Sequence, residues 1–302
     1  MKGLAYNAGF VAWIGNVAEK DVLMVEILRK AGCVYYVRTT EPQTLMHLET
    51  SSILYGTTVN PFHGALTCGG SSGGEGALLG LRGSCLGVGS DIGGSIRSRS
   101  LPSSTNQHRL PKISSLAPHV GGGYIEPVIG PLATSLTGIK VFMKALLDTK
   151  PWIREANLIP LPWRDEQSCV RQGGNQKLRV GVMSNDEVVK PHPPITRALD
   201  EVVGKLRHIE GLEIVEWKPY KHDLAWETIA SLYYIDAGEE TKEIMALSGE
   251  PWRPLSRFIV TDNPQVKQRS ITEIQELTAQ RDKYWLEYAQ SLFHIIPVES
   301  PC

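Results

Sequence analysis

Residues 67–97 read TCGGSSGGEGALLGLRGSCLGVGSDIGGSIR, which sets Ser71-Ser72 and Ser95 in two separate glycine-rich turns. A serine hydroxyl becomes a useful nucleophile only when a neighbour accepts its proton. The run Asp91-Ile92-Gly93-Gly94-Ser95 can aim several consecutive backbone N–H groups at one point, because glycine lets the chain curl without side-chain clashes. A serine closing such a curl has donors for an oxyanion beside it. The same glycines also suit a flexible connector or a phosphate loop. Against a Walker-type loop, no Gly-Lys-Ser/Thr follows them. Against a dinucleotide fingerprint, Gly87-x-Gly89 lacks the third glycine and follows a helical stretch rather than opening one.

These turns need elements to hold them. Asp21–Ala31 carries Val22, Val25, Leu28 and Ala31 at helical spacing, with Asp21 placed to cap the start and Gly32 just past the end. Val34–Val37 reads as a buried strand, Pro42–Leu48 as a short helix, and the chain near Val59 as extended. Between the serine turns, Gly76–Arg82 is predicted helical and Leu86–Gly89 a strand. Residues 98–131 are rich in Ser, Pro and Gly without a period and read as a long loop. Leu136–Leu147 is predicted as a helix with Leu136, Ile139, Met143 and Leu146 on one face. After the linker 151–176, Leu178–Met183 and Leu212–Trp217 read as strands around a helix at Ile195–Leu206. A last long helix begins near Thr272, whose hydroxyl and Gln275 fit a capping box, and runs to about Phe293. The alternation implies an α/β fold.

The 302 residues hold 31 Lys plus Arg against 32 Asp plus Glu, and 42% are hydrophobic, so a disordered or polybasic chain is excluded and nucleic acid is not an expected partner. Five cysteines without a C-x-x-C spacing suit a reducing compartment, so a cytoplasmic location is expected, with no disulfide framework and no metal site. No apolar run is long enough to span a membrane. The opening Met1–Gly15 mimics a secretion signal only faintly, since Asn7 and two glycines interrupt it.

Asn60-Pro61, the block GGSSGGEG from Gly69 to Gly76, Leu86–Gly89 and DIGGSIR from Asp91 to Arg97 together resemble the amidase signature family of serine hydrolases, chiefly its fungal acetamidase and fatty-acid amide hydrolase branches. The resemblance covers most of residues 1–290. It implies a mixed, twisted central sheet with helices on both faces. The chain would then be one domain over residues 1–302, incomplete at both ends and atypical at 98–107 and 291–302. It further implies that Ser95 is the acyl-forming nucleophile, that the N–H groups of Ile92, Gly93, Gly94 and Ser95 form the oxyanion hole, and that Ser71, after a cis Gly70–Ser71 peptide, bridges to a lysine. Ser72 would support the same network, and Leu45 would touch substrate. The implied activity is hydrolysis of small carboxamides through an acyl-enzyme, with no cofactor; the oligomeric state is left open.

A buried lysine kept neutral by desolvation ends the family's proton relay. In the family it lies a few residues before a Lys-Gly pair, and Met1-Lys2-Gly3 begins at the pair itself, so Lys2 matches the non-catalytic lysine. Residues 98–107 (SRSLPSSTNQ) also replace the family's Pro-Ala-rich continuation. Impaired turnover is therefore expected, the alternative being a catalytically inactive amidase-like binding or vestigial protein. His63, His108 and Lys112 are substitute bases by proximity in sequence, though each reads more simply as a surface residue. Glu75 is expected to favour its helix dipole, and Asp91 to anchor the nucleophile turn. Trp226, Tyr233, Tyr234 and Trp252 read as core, and Cys68 and Cys85 as small buried residues.

Overall fold

The structure, a computed structural model, describes residues 1–97, 106–107, 124–156, 158–164 and 177–293. In chain order its strands are β1 (Ser51–Ser52), β2 (Gly56–Thr57), β3 (Val59–Asn60), β4 (His63–Thr67), β5 (Leu86–Asp91), β6 (Asn106–Gln107), β7 (Val128–Ala133), β8 (Leu178–Val182) and β9 (Leu212–Glu216). The helices are α1 (Leu23–Lys30), α2 (Gly73–Gly80), α3 (Leu136–Leu147), α4 (Pro193–Leu206), α5 (His222–Tyr233), α6 (Glu239–Ser248), α7 (Pro254–Arg257) and α8 (Ile271–Phe293). Two compact units result, one of Met1–Trp163 with Asp236–Gln268, the other of Arg164–Ile235 with Arg269–Cys302.

The first unit carries both serine turns. Its core joins α1, α3 and β7. In α3 the residues Ile139, Phe142, Met143, Leu146 and Leu147 recur at the spacing that lays them on one face, and all are buried against Leu23, Val25, Ile27 and Leu28 of α1 and Ile129 and Ala133 of β7. Each such side chain contributes about 1.5–3 kcal/mol by leaving water. Ser135 caps α3, its Oγ accepting the Gly138 N–H at 3.1 Å. Leu136, expected on the buried face, is 56% exposed because it precedes the first turn that meets the core. β7 pairs antiparallel with β5 from Leu86↔Ala133 to Asp91↔Val128, and β6 pairs on its other side. The core therefore grips β5, the strand that runs into the Ser95 turn.

Several expectations change here. Asp21 does not cap α1: the N-cap is Val22, while the Asp21 carboxylate accepts the Lys2 N–H at 2.7 Å and pairs with Arg29. Gly32, at φ +91, does follow the helix end. Val34–Val37 alternates as a strand would, with Cys33 and Tyr35 turned to the core and Val34 82% exposed, but it pairs with no described strand. Pro42–Leu48 shrinks to a 3₁₀ turn at Gln43–Leu45. β6 and most of β7 lie within the span 98–131 read as loop, and residues 98–105 and 108–123 fall outside the described residues.

In the second unit β8 and β9 are parallel, joined through α4, and α8 packs along α5 with Gln280 Nε2 donating to Thr228 Oγ1 at 2.7 Å. The capping box of α8 sits earlier than expected: Ser270 N–H donates to Glu273 Oε2 at 2.8 Å, and Glu273 N–H to Ser270 Oγ at 3.2 Å. Trp226 is exposed rather than core, because it lies on the outer face of α5, whereas Tyr234 is buried. The helical pattern of α5, α6 and α7 went unread. Among the described residues no helix is long and apolar enough to cross a membrane, and no cluster of three His, Cys, Asp or Glu is placed to hold a metal.

Chemical denaturation checks both units. Phe142→Ala, which empties a fully buried position, is expected to cost about 3–5 kcal/mol. Ser270→Ala, which removes one cap, should cost about 1 kcal/mol.

Candidate active site

β5 ends at Asp91, whose carboxylate is fully enclosed and collects four donors. Oδ1 accepts the Gly94 N–H at 2.9 Å and Arg97 Nη2 at 3.0 Å; Oδ2 accepts the Ile96 N–H at 3.1 Å and Arg97 Nε at 3.0 Å. The two-pronged arginine contact and the charge-assisted N–H bonds are what make a buried carboxylate tolerable there. They bend residues 92–97 into a closed turn with Ser95 inside it. Asp91 thus anchors the turn as its sequence position implied.

The second turn is stitched to the first through Ser72. Its N–H donates to the Ser95 carbonyl at 3.1 Å, its Oγ donates to the Ser90 carbonyl at 3.2 Å, and the same Oγ accepts the Ser90 N–H at 3.3 Å. This closeness requires glycine at 89, where a Cβ would stand 2.6 Å from Ser72 Oγ. Ser71 precedes Ser72, and the Gly70–Ser71 peptide is cis. Thr50 Oγ1 holds the Gly69 carbonyl at 2.9 Å, tying the turn to the segment before it. Glu75 sits in the first turn of α2 and accepts from Thr39 Oγ1 at 2.9 Å.

Leu45, Ser71, Ile92 and Ser95 all line one cavity of ≈ 950 Å³. Ser71 and Ser95 are each only 6% exposed. Gly94 differs from its expected part, since its N–H is engaged by Asp91 rather than aimed at a substrate. Gly93 stands exposed beside the cavity wall. His63 is exposed on β4 and does not line this cavity; His108 and Lys112 lie outside the described residues. Cys68 is fully buried, whereas Cys85 is exposed at the start of β5.

The rest of the wall was not read from the sequence. Thr44 lines it with its Oγ1 buried and without a hydrogen-bond partner, and Arg38 and Glu41 line it as well. Burial raises the Glu41 carboxyl above the usual carboxylate range, opposed by the Arg38 charge and the Ala8 N–H. Just past this wall, His47 is 3% exposed, its Nδ1 accepting the Glu49 N–H at 3.2 Å while Nε2 has no partner. Burial depresses it to about 4.

With this geometry in place, the comparisons fall into line. The family profile for amidases matches residues 1–291. The chain belongs to the amidase family. Relatives in that family include a Schizosaccharomyces pombe protein named as an amidase, 41% identical over 300 residues that cover 97% of this chain and 54% of the relative. The acetamidase of Emericella nidulans is 36% identical over 303 residues, covering 96% of this chain and 54% of its own length. Among solved structures, fatty acid amide hydrolase superposes with a TM-score of 0.87 at 34% identity, covering 97% of this chain and 52% of that one. The amidase signature fold that the resemblance implied is thereby established; among the described residues the strands form four small sheets, three antiparallel and one parallel. The chain spans about half the length of these amidase relatives.

The buried histidine generates a pH prediction. His47 is neutral when folded, and its folded value of about 4 lies below the ordinary 6.5. The unfolded chain therefore binds the extra proton first, and stability present above pH 6.5 is lost as pH falls toward 4. The loss is expected to be on the order of 2–3 kcal/mol, read as a falling denaturation midpoint. His47→Gln, which has no proton to take up, should flatten that fall; an unchanged pH profile would show that His47 is not its source.

Proposed function

We propose that this site hydrolyses the carbon–nitrogen bond of small carboxamides through an acyl-enzyme on Ser95. The observation that carries the reading is the stitching of the two turns, with Ser71 and Ser95 lining one cavity together with Leu45 and Ile92. Ser95 Oγ would attack the amide carbonyl carbon while its proton passes to Ser71 Oγ, and from there to a base. The oxygen of the tetrahedral intermediate would then carry the negative charge. With Gly94 engaged, the N–H groups of Ile92, Gly93 and Ser95 are the donors on which its stabilisation would rest, a role typically worth several kcal/mol. On collapse, the C–N bond breaks, the nitrogen takes the relayed proton, and ammonia or an amine leaves. Water then cleaves the acyl ester and returns the proton to Ser95. The relatives' names span acetamide and fatty acyl amides, so the class fits while the acyl length is set by the cavity walls.

The resemblance implies that the base at the end of the relay is a lysine ahead of the Lys2-Gly3 pair. Acetamide hydrolysis by these 302 residues joined to a segment that carries that lysine is expected to fall about 10⁴–10⁶-fold when the lysine is replaced by alanine, as for loss of one member of a cooperative triad. In the joined form Ser95→Ala should abolish turnover, and Ser71→Ala should reduce it by about 10³ or more. Robust turnover that survives Ser95→Ala would contradict the reading. The second reading, a pocket that binds amides without cleaving them, rests on residues 98–107 (SRSLPSSTNQ), which replace the family's continuation after Ser95. It predicts saturable acetamide binding with no ammonia released even after the lysine is supplied.

A further inference from the structure

Thr44 and Leu45 line the cavity from the 3₁₀ turn Gln43–Leu45, and both hold left-handed backbone, at φ 65 and φ 60. Neither is glycine, and a β-branched threonine in that region is an outlier. Such conformations persist where the surroundings over-determine them. Here the surroundings are the preceding side chain and a segment two hundred residues away. Gln43 is fully buried: Nε2 donates to Glu250 Oε2 at 2.7 Å and to the Pro251 carbonyl at 3.0 Å, while Oε1 accepts the Arg253 N–H at 2.7 Å. Its backbone carbonyl accepts from Ser256 Oγ at 2.9 Å. Glu250, 8% exposed, uses its other oxygen to accept the Val11 N–H at 2.7 Å. The amide of Gln43 is thus read at both ends, as donor and as acceptor, which fixes its orientation.

We propose that Gln43 and Glu250 are positioning residues that lock the Thr44-Leu45 turn as the cavity wall and thereby set which acyl chains the site accepts. Neither touches the reacting atoms; they act through the backbone of the turn. The proposal rests on the reading of the cavity as the carboxamide site, so its test separates the two.

Glu250→Gln alone sets an amide NH₂ against either the Gln43 NH₂ or the Val11 N–H, and Gln43→Glu alone sets two carboxylates together. The double exchange again offers a donor to an acceptor; the Arg253 and Val11 N–H groups are still accepted, and the Pro251 carbonyl alone is left without its donor. Hydrogen exchange of residues 42–46 and ligand-detected NMR affinities for acetamide and hexanamide are measured in the wild type, both single variants and the double variant. Each single variant is expected to speed exchange at 42–46 by about tenfold while Leu136–Leu147 keeps its protection. Each should also shift the hexanamide-to-acetamide affinity ratio by about threefold or more, and the double variant should restore both readouts. Unchanged exchange in the single variants, or exchange that rises equally in Leu136–Leu147, overturns the clamp. Faster local exchange with an unmoved affinity ratio overturns the claim on acyl selection. If neither amide binds the wild type, the carboxamide reading fails and the selection claim with it, while exchange at 42–46 still decides the clamp.

Discussion

The site depends on one buried carboxylate. Asp91 sits at the end of β5 with no exposed surface to speak of, and two backbone N–H groups and the Arg97 guanidinium converge on it. An unpaired charge in that position would cost several kcal/mol, and the N–H groups of Gly94 and Ile96 would be left without an acceptor if the carboxylate were removed. The network therefore leaves residues 92–97 one conformation that satisfies every buried polar group in it. Ser95 is carried along by that closure, with its own carbonyl fixed by the Ser72 N–H. The position of Ser95, the proposed nucleophile, is thus set by the groups around it.

What keeps Asp91 in place is ordinary packing. β5 is held by β7 along its whole length, β7 by α3, and α3 by α1, so the apolar face of one well-formed helix reaches the turn through two strands. Another part of the cavity lining is held differently. There the backbone of Thr44 and Leu45 departs from ordinary conformations, each residue at a cost of about 1–2 kcal/mol, and side-chain hydrogen bonds rather than apolar contacts hold it. The turn that carries Ser95 and the turn of Thr44 and Leu45 thus line one cavity but are fixed by different means, the second by a polar network.

Local signals were legible in the sequence wherever one residue pattern decided the outcome. The 3.6-residue repeat of α3, the glycine turns around Ser71 and Ser95, and the placing of Asp91 three residues before Gly94 all follow from chemistry within a few positions. Elements that depend on distant partners were not. Val34–Val37 has a strand's alternation but no described neighbour, and β7 hides in a Ser-, Pro- and Gly-rich span because its stability comes from β5. Ser270 and Glu273 outcompete Thr272 and Gln275 as the cap of α8 although either pair fits the pattern. Nothing in the residue types of Thr44 and Leu45 announces left-handed backbone, and the Gln43–Glu250 contact spans 207 positions.

The central claim is that the turn held by Asp91 presents Ser95 as the reactive hydroxyl. Slow labelling with a fluorophosphonate, followed by peptide mass mapping, tests it directly, because surviving oxyanion donors alone retain about 10³–10⁴-fold reactivity over water in other serine hydrolases. The account predicts a single adduct on Ser95 that is lost when Asp91→Asn removes the carboxylate. An adduct on another serine, no adduct at all, or equal labelling of Ser95 in the Asp91→Asn protein would contradict it.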